Sequence, residues 1–482
     1  MTNSIKLKLL TTNEVTILHE KCLHLLSNKG VSVEYPKALE ILDKGGADVD
    51  YATQMVRFPR DIIETSLKTA PKTFTVKGSE KKYDFDLPHP TGSFYTCTCV
   101  QSMRYHDAEA NRFSDVTSER MAEWVQLASS LDHIDKIAIQ TAMDVPQETA
   151  DVHSLNILLR NTSKPLMVLP YCLETVEYQF ELMLARAGSA EALRERPMLF
   201  TYPTSLSPLK FKPMDMEEMI QSCRYGVPMV ANSLGIAGGT APMTIAGTVL
   251  LASVEIMAMV VMAQLMAPGI PVIPSVYTTS MEMATGNALL GNTESMLARA
   301  TGSQFIKEAF DLPVETFSFM TDAYLSDGQA ILEKALMPAL IGLSGSDIQY
   351  GAGRLGGSTY ASPVQLVIDD QVAQIVKRCI AGVEISEDEL AVEEIMNIEP
   401  GGDFISSEHT LRHCRDLIRP DLFAAPFIDD WEADGRKDLY QRAVEKYKAM
   451  KKDLAPPQLS EDVLKEMDKI TKHADESLVS KL

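Results

Sequence analysis

From Thr117 onward, hydrophobic positions alternate between two rhythms. Short continuous apolar runs lie at Lys136–Thr141, Leu166–Pro170, Met198–Tyr202, Met229–Ser233, Val272–Val276, Val314–Phe319 and Asp347–Tyr350. Between them, apolar residues spaced three and four apart predict helices at Thr149–Asn161, Leu173–Ala187, Met214–Tyr225, Thr244–Met266, Asn292–Phe310 and Asp327–Leu343. Continuous apolar runs are what strands buried on both faces require, as in a parallel sheet. Repeated strand–helix units predict an α/β fold, a TIM (β/α)8 barrel rather than an open sheet. Ser93–Val100 and Asp403–Ser406 are both candidates for the eighth strand. Three parts are expected: an N-terminal helical and β segment, 1–116, packing on the barrel; the barrel core, 117–381; and a C-terminal helical extension, 382–482. The first holds helices at Glu14–Asn28, Pro36–Lys44 and Pro59–Ala70; the last holds Glu387–Met396, His409–Leu417 and a helix capped by Ser460.

The longest apolar stretch, Pro228–Gln264, changes the picture only if it spans a membrane. From Tyr225 through Met281 the one charged residue is Glu255. Hydrophobic residues make up 45% of the chain and no Lys or Arg cluster flanks the run, so a core helix is expected and no membrane. Its apolar surface needs a cover, expected from the C-terminal helices or a neighbouring subunit, with Glu255 paired or at an edge. The first residues include Lys6 and Lys8 but no apolar signal core. Seven scattered cysteines fit free thiols in a reducing cytoplasm. A net charge of −21 argues against a general nucleic-acid binder.

In a barrel, working residues stand at the C-terminal ends of strands. Those ends supply Asp144, Tyr171, Tyr202, Asn232, Tyr277, Phe319, Asp322, Gln349 and Tyr350, with Glu282 and Arg354 just beyond. Aromatic faces converging on one mouth attract a cation, and quaternary ammonium groups are held this way; rings closing the core are the alternative. Strand ends offer no histidine, and no nucleophile motif is present. Two glycine-rich loops, Gly235–Pro242 and Tyr350–Thr359, let backbone approach a large ligand or another chain, or else form tight turns. Cys97 and Cys99 share a strand face, a conceivable metal pair or two packed thiols.

The segments GIAGGTAPMTIAG, TDAYLSDGQAILEKAL, YGAGRLGGSTYASPVQLVIDD and EPGGDFISSEHTLRH together resemble the trimethylamine methyltransferase superfamily. The resemblance covers about Asn13 to Asp453. It implies a TIM barrel that moves a methyl group from an amine to the cobalt of a separate corrinoid protein. The founding methylamine enzymes carry pyrrolysine inside the barrel; this chain has standard residues only, so it resembles the non-pyrrolysine branch, which acts on quaternary amines such as glycine betaine, proline betaine and carnitine.

On that resemblance, Tyr350, Gln349 and Asp322 form the expected catalytic centre. Tyr95, Tyr202, Tyr277 and Phe319 join Tyr350 around the ammonium, with Asp322 or Glu282 as partial compensation. A betaine carboxylate is expected at Arg354, Asn232 or Gln349. Gly235, Gly238, Gly239, Gly351, Gly353 and Gly356 are expected to face the corrinoid protein. No metal and no tightly bound cofactor are expected, since the partner supplies the cobalamin. A homo-oligomer is expected from the apolar helix and the long tail. Two other readings stay open: a zinc-thiolate barrel methyltransferase using Cys97 and Cys99, and a non-catalytic betaine-binding or sensing protein.

Overall fold

The computed structural model describes residues 6–107, 112–357, 359–423 and 425–479; Ser358, in the second glycine-rich loop, lies outside them. The fold is mixed α/β, built on short parallel strands. Tyr95–Thr98 bridges to Lys136 at Cys97, and Ile137–Ala138, Leu166–Met167 and Leu199–Phe200 then pair in turn. Thr201 bridges to Met229, from which Met229–Ser233, Val272–Val276, Glu315–Phe317 and Ile348–Ala352 pair in parallel order. Ile348–Ala352 pairs in parallel with Tyr95–Thr98. The additional strand is therefore Tyr95–Thr98, inside Ser93–Val100. Asp403–Ser406 forms no strand: the Asp403 carboxylate accepts the Ile405 amide at 2.9 Å, closing a turn after two glycines.

Alternation along these strands separates two layers. Met229, Ala231, Val272 and Val276 belong to one apolar cluster with the helix Ile245–Met266, while Val230, Ile273, Tyr277, Phe317 and Tyr350 belong to another. The helix Ile245–Met266 is the one described helix long and apolar enough to cross a membrane, and it is largely buried. Its cover differs from expectation. The N-terminal helices Thr12–Asn28, Pro36–Lys44 and Arg60–Thr69 lie on it, together with Pro213–Tyr225 and Thr293–Phe310. Each N-terminal helix is amphipathic and short; none can bury its own stripe, so each finds cover on the most apolar helix in the chain.

Glu255, inside that layer, is fully buried and answered by four donors. The hydroxyls of Ser205, Ser207 and Ser233 and the Leu209 amide lie 2.6–2.7 Å from its carboxylate. The C-terminal helices pack elsewhere: Leu439–Lys451 on Pro363–Ala381 and Ser118–Ser130, and Glu461–Leu478 on Ala150–Asn161 and Val176–Ala187. Between Pro363–Ala381 and Leu439–Lys451, the short helices Glu387–Leu390, Val392–Asn397, Glu408–His413 and Ile428–Ala433 bury no residue. The expected helix Glu387–Met396 is broken at Ala391, whose φ of 47° is left-handed.

Candidate functional site

Four rings line the inward face of the strands near their C-terminal ends. Tyr277 and Phe317 stack with centroids 3.6 Å apart and planes at 13°. Phe317 meets Tyr350 at 4.4 Å, and Tyr350 lies nearly parallel to Tyr202 at 6.4 Å. The Tyr202 hydroxyl is 3.1 Å from the Ser275 hydroxyl. All four are buried, Tyr350 completely and Tyr277 at 8% exposure. Burial first, and neighbouring charge second, pushes the Tyr202 and Tyr350 phenols well above their usual range, so both stay protonated.

The loops that follow these strands are held by buried carboxylates on the outer helices. Glu218 accepts the Tyr202 amide at 3.0 Å and Asp215 the Thr204 amide at 3.1 Å, both from the helix Pro213–Tyr225. Burial raises both pKa values, Glu218 far above the carboxylate range. Asp369 accepts the Gly353 amide at 2.6 Å and pairs with Lys334 at 2.7 Å, both side chains fully buried. Burial raises the Asp369 pKa and lowers that of Lys334. Such anchors fix strand-end residues without using the side chains that face inward, which is how a site is held in one geometry.

Around the rings, several buried polar atoms lack a hydrogen-bond partner among the described residues: the Tyr350 hydroxyl, Asn232 Oδ1, Arg354 Nε, Arg299 Nη2, and the Thr278 and Thr279 hydroxyls. Native proteins rarely leave buried polar atoms unanswered, and a cluster of them points to a ligand. Arg299 is fully buried, lies 5.3 Å over the Tyr277 ring, and donates to the carbonyls of Thr278 and Leu290. Burial lowers its guanidinium pKa to about 10, still charged at neutral pH. Arg354 donates to the Val100 carbonyl. Neither arginine forms an ion pair among the described residues.

The structure brings together Tyr202, Asn232, Tyr277, Tyr350 and Arg354 from the expected set, and it moves others away. Gln349 points the opposite way from Tyr350: its amide takes the Ser318 hydroxyl and donates to the Pro338 carbonyl, between strand and helix. Phe319 meets Phe94 at 6.5 Å, and Phe94 packs near Gly342 on the helix Gly328–Leu343, so both belong to that outer layer. Tyr95 opens its strand at the N-terminal end, stacked on Phe85 at 4.0 Å, away from the strand ends that carry Tyr202 and Tyr277. Glu282 is exposed on the hairpin of Thr279–Met281 and Ala288–Leu289. Asp322 spends both oxygens on the Leu290 and Gly291 amides, at 3.0 and 2.9 Å, and so anchors a loop.

Of the glycines, Gly351 and Gly353 are buried with φ of 111° and 83°, and a Cβ there would strike Phe319 and Trp124. They serve the chain's own packing rather than a partner. Gly235 is also buried, and Gly356 is half-buried beside Tyr360 and Tyr324. Gly238 and Gly239 remain at a loop tip, where a Cβ on Gly238 would stand 2.8 Å from the Met243 sulfur.

Phe317, Arg299, Lys136 and Glu315 were missed from sequence. Lys136 and Glu315 had a signal: each is a charge opening a buried apolar run, a costly placement unless paired or used. Phe317 and Arg299 had none, because adjacent rings and helix-borne charges sort to a side only when the sheet packs. Burial pushes the Cys97 thiol well up, disfavouring a metal-binding thiolate, and no trio of metal-ligating side chains converges among the described residues. Among the described residues the zinc-thiolate reading has no donor set to stand on.

Residues 1–478 match the family model for trimethylamine methyltransferase (MTTB). The chain is 30% identical to the trimethylamine methyltransferase MttB of Methanosarcina barkeri (strain Fusaro / DSM 804), over 98% of this chain and 97% of that one. It is 24% identical to a glycine betaine methyltransferase of Desulfitobacterium hafniense (strain Y51), over 85% of each. In fold it resembles the crystal structure of the Methanosarcina barkeri monomethylamine methyltransferase MtmB, with a TM-score of 0.53 at 12% identity, over 92% of this chain and 93% of that one.

Proposed function

The chain belongs to the trimethylamine methyltransferase family, and on that premise we propose that it moves a methyl group from a quaternary amine to the Co(I) of a corrinoid carried by a separate protein, releasing the tertiary amine. The eight parallel strands are read here as a (β/α)8 barrel with the site at their C-terminal ends. One observation supports the substrate class above others: four buried rings, Tyr202, Tyr277, Phe317 and Tyr350, stacked on one inward face and bordered by unpartnered polar atoms. Ring faces receive a cation. Arg354 Nε and Arg299 Nη2, buried and free of ion pairs among the described residues, suit a substrate carboxylate. Glycine betaine, proline betaine and carnitine present both groups.

The chemistry asks little acid–base help of the protein. A Co(I) corrinoid supplies the nucleophile. The C–N electron pair stays on nitrogen, which leaves as a neutral amine and needs no proton. The residues here bind and orient: rings around the ammonium, arginines on the carboxylate, and carboxylate-anchored loops holding both. Positioning of this kind is worth several kcal/mol. At the same end, Leu234, Met243 and Met283 are exposed around the Gly238–Gly239 tip, and Tyr324 is exposed beside Gly356; they offer apolar surface to a corrinoid protein. Association of copies of the chain is also part of this reading. Exposed Val383, Ile385, Met396, Ile405, Leu411 and Phe427, on a segment whose short helices bury nothing, support it.

The test supplies purified chain with a reduced corrinoid protein and a panel of quaternary amines plus trimethylamine. Loss of the Co(I) absorption with stoichiometric tertiary amine is expected for one or more quaternary amines. Consumption of trimethylamine alone, or binding with no demethylated product, would sink the proposal; the second result would favour a binding or sensing role.

A further inference from the structure

We propose that Glu315 is the counter-charge by which this site prefers a quaternary ammonium to a neutral group of the same shape, and that Lys136 tempers that preference. The inference rests on reading the site as one for a quaternary amine, and it concerns residues that reading does not use.

Glu315 and Lys136 are both fully buried, with Lys136 Nζ 2.7 Å from Glu315 Oε2. Glu315 Oε1 has no hydrogen-bond partner. Glu315 precedes Phe317 by two residues on one strand, so the two share the inward face. It lies in register with Ser275, whose hydroxyl contacts that of Tyr202. Lys136 bridges to Cys97, and Cys97 is in register with Tyr350. The Lys136 ammonium sits 4.7 Å over the Phe200 ring. The ion pair therefore crosses the inward face one layer toward the N-terminal ends from the four rings, and its carboxylate is among the charges that both the Tyr202 and Tyr350 phenols feel.

Other carboxylates do not fit the role. Asp322 has both oxygens engaged and Glu282 is exposed. Glu218 also keeps an oxygen without a hydrogen-bond partner among the described residues and Asp215 pairs one with Lys212 at 3.5 Å, but both stand on the helix Pro213–Tyr225, outside the strands. A fully buried ion pair is expensive, and apolar residues of similar volume often serve stability as well or better. One carboxylate oxygen left over beneath a cation-attracting cluster has a physical use. Rings favour a trimethylammonium through their quadrupoles but, through dispersion and shape, accept a tert-butyl group too; a carboxylate widens the separation by charge. Unopposed, it would also hold the cation too firmly, since the charge leaves nitrogen during transfer and ground-state binding of that charge opposes the rate. Lys136, occupying one oxygen, limits that penalty.

The test is calorimetric binding without any corrinoid, using glycine betaine and 3,3-dimethylbutanoate, which puts carbon in place of the nitrogen; proline betaine and carnitine serve as further probes. The wild type is expected to bind glycine betaine at least about tenfold more tightly than its carbon isostere, which keeps the carboxylate and lacks only the positive charge. The double variant Lys136→Met/Glu315→Gln removes both charges at similar volume; it is expected to fold, to keep its affinity for the carbon isostere, and to cut the preference at least about fivefold, leaving the part that the ring faces supply. Glu315→Gln alone, leaving the ammonium unopposed, is expected to reverse the preference and to raise KM more than it lowers kcat. A double variant that keeps the tenfold preference overturns the inference, as does one, folded by circular dichroism, that loses both ligands equally. A wild type that binds none of the quaternary amines overturns the reading of the site and this inference with it.

Discussion

Two buried regions meet at the strands Met229–Ser233 and Val272–Val276, and they treat polar groups in opposite ways. On the outer side, Glu255 sits in the most apolar layer of the molecule with four donors at 2.6–2.7 Å, and Gln264 bonds the Ile270 carbonyl and the Gly269 amide. On the inner side, Asn232, Tyr350, Arg299 and Arg354 keep buried atoms unpartnered, and Glu315 keeps an oxygen free. Burial is equally complete on both. The difference is that the polar groups of the apolar helix Ile245–Met266 are answered by the chain itself, while the groups around the rings are left for another molecule to answer. Unsatisfied groups cost stability wherever they are buried, so the contrast sorts structure from function more sharply than burial does.

That contrast makes opposite forecasts for stability and activity. Glu255→Ala strands three hydroxyls and an amide, and should cost about 3–5 kcal/mol, read as a lowered denaturant midpoint; an unchanged midpoint would erase the outer half of the comparison. Arg354→Met removes a buried cation with no ion pair, so stability should hold or rise while kcat/KM falls about 10- to 100-fold; a drop in stability with activity intact would reverse its assignment. Tyr350→Phe deletes only the unpartnered hydroxyl. About a tenfold loss of kcat/KM is expected at unchanged stability, checked by pairing steady-state rates with thermal unfolding.

Glu218 sharpens the comparison with pH. Its folded pKa is raised above its ordinary value of 4.5, so its contribution to stability is fully present below pH 4.5 and is lost as pH rises toward and through the folded value. Glu218→Gln, which cannot ionise, should match the wild type at pH 4.5 and exceed it at pH 8 by about 1 kcal/mol; parallel stability curves for the two proteins would refute this. Glu282→Gln, on an exposed hairpin, should change kcat/KM by less than about twofold, and a larger effect would restore Glu282 to the site.

How much of this was legible beforehand depended on the kind of signal. Apolar runs such as Met229–Ser233 and Val272–Val276 match observed strands at their full length. Leu166–Pro170 shrinks to Leu166–Met167, since pairing ends where the chain turns toward the next helix. Tyr202, Tyr277, Asn232, Tyr350 and Arg354 could be found because they follow apolar runs at the ends where barrels work. Gln349 meets that same criterion and fails, since a period of two puts it on the opposite face from Tyr350 and the sequence does not say which face is inward. Phe319 fails because its strand ends at Phe317: the Ser318 and Phe319 amides both donate to the Tyr350 carbonyl, which breaks the alternation. Tyr95 fails for another reason: it begins its strand, and the start of a strand lies at the opposite end from its finish.

By itself, the sequence determined the alternation of strand and helix, the family, and the burial of Ile245–Met266, because periodicity and sustained apolarity are local properties that survive any arrangement of the elements. The tertiary structure alone decided that the N-terminal helices, rather than the tail, cover that helix; that Glu255 is hydrogen-bonded by three serines and an amide from the 205–209 segment and the strand Met229–Ser233; and that Lys136 and Glu315, 179 residues apart, meet beneath four rings. Those outcomes depend on which surfaces meet and which face of each strand turns inward. Chain closure over long separations sets both, and no local pattern encodes either.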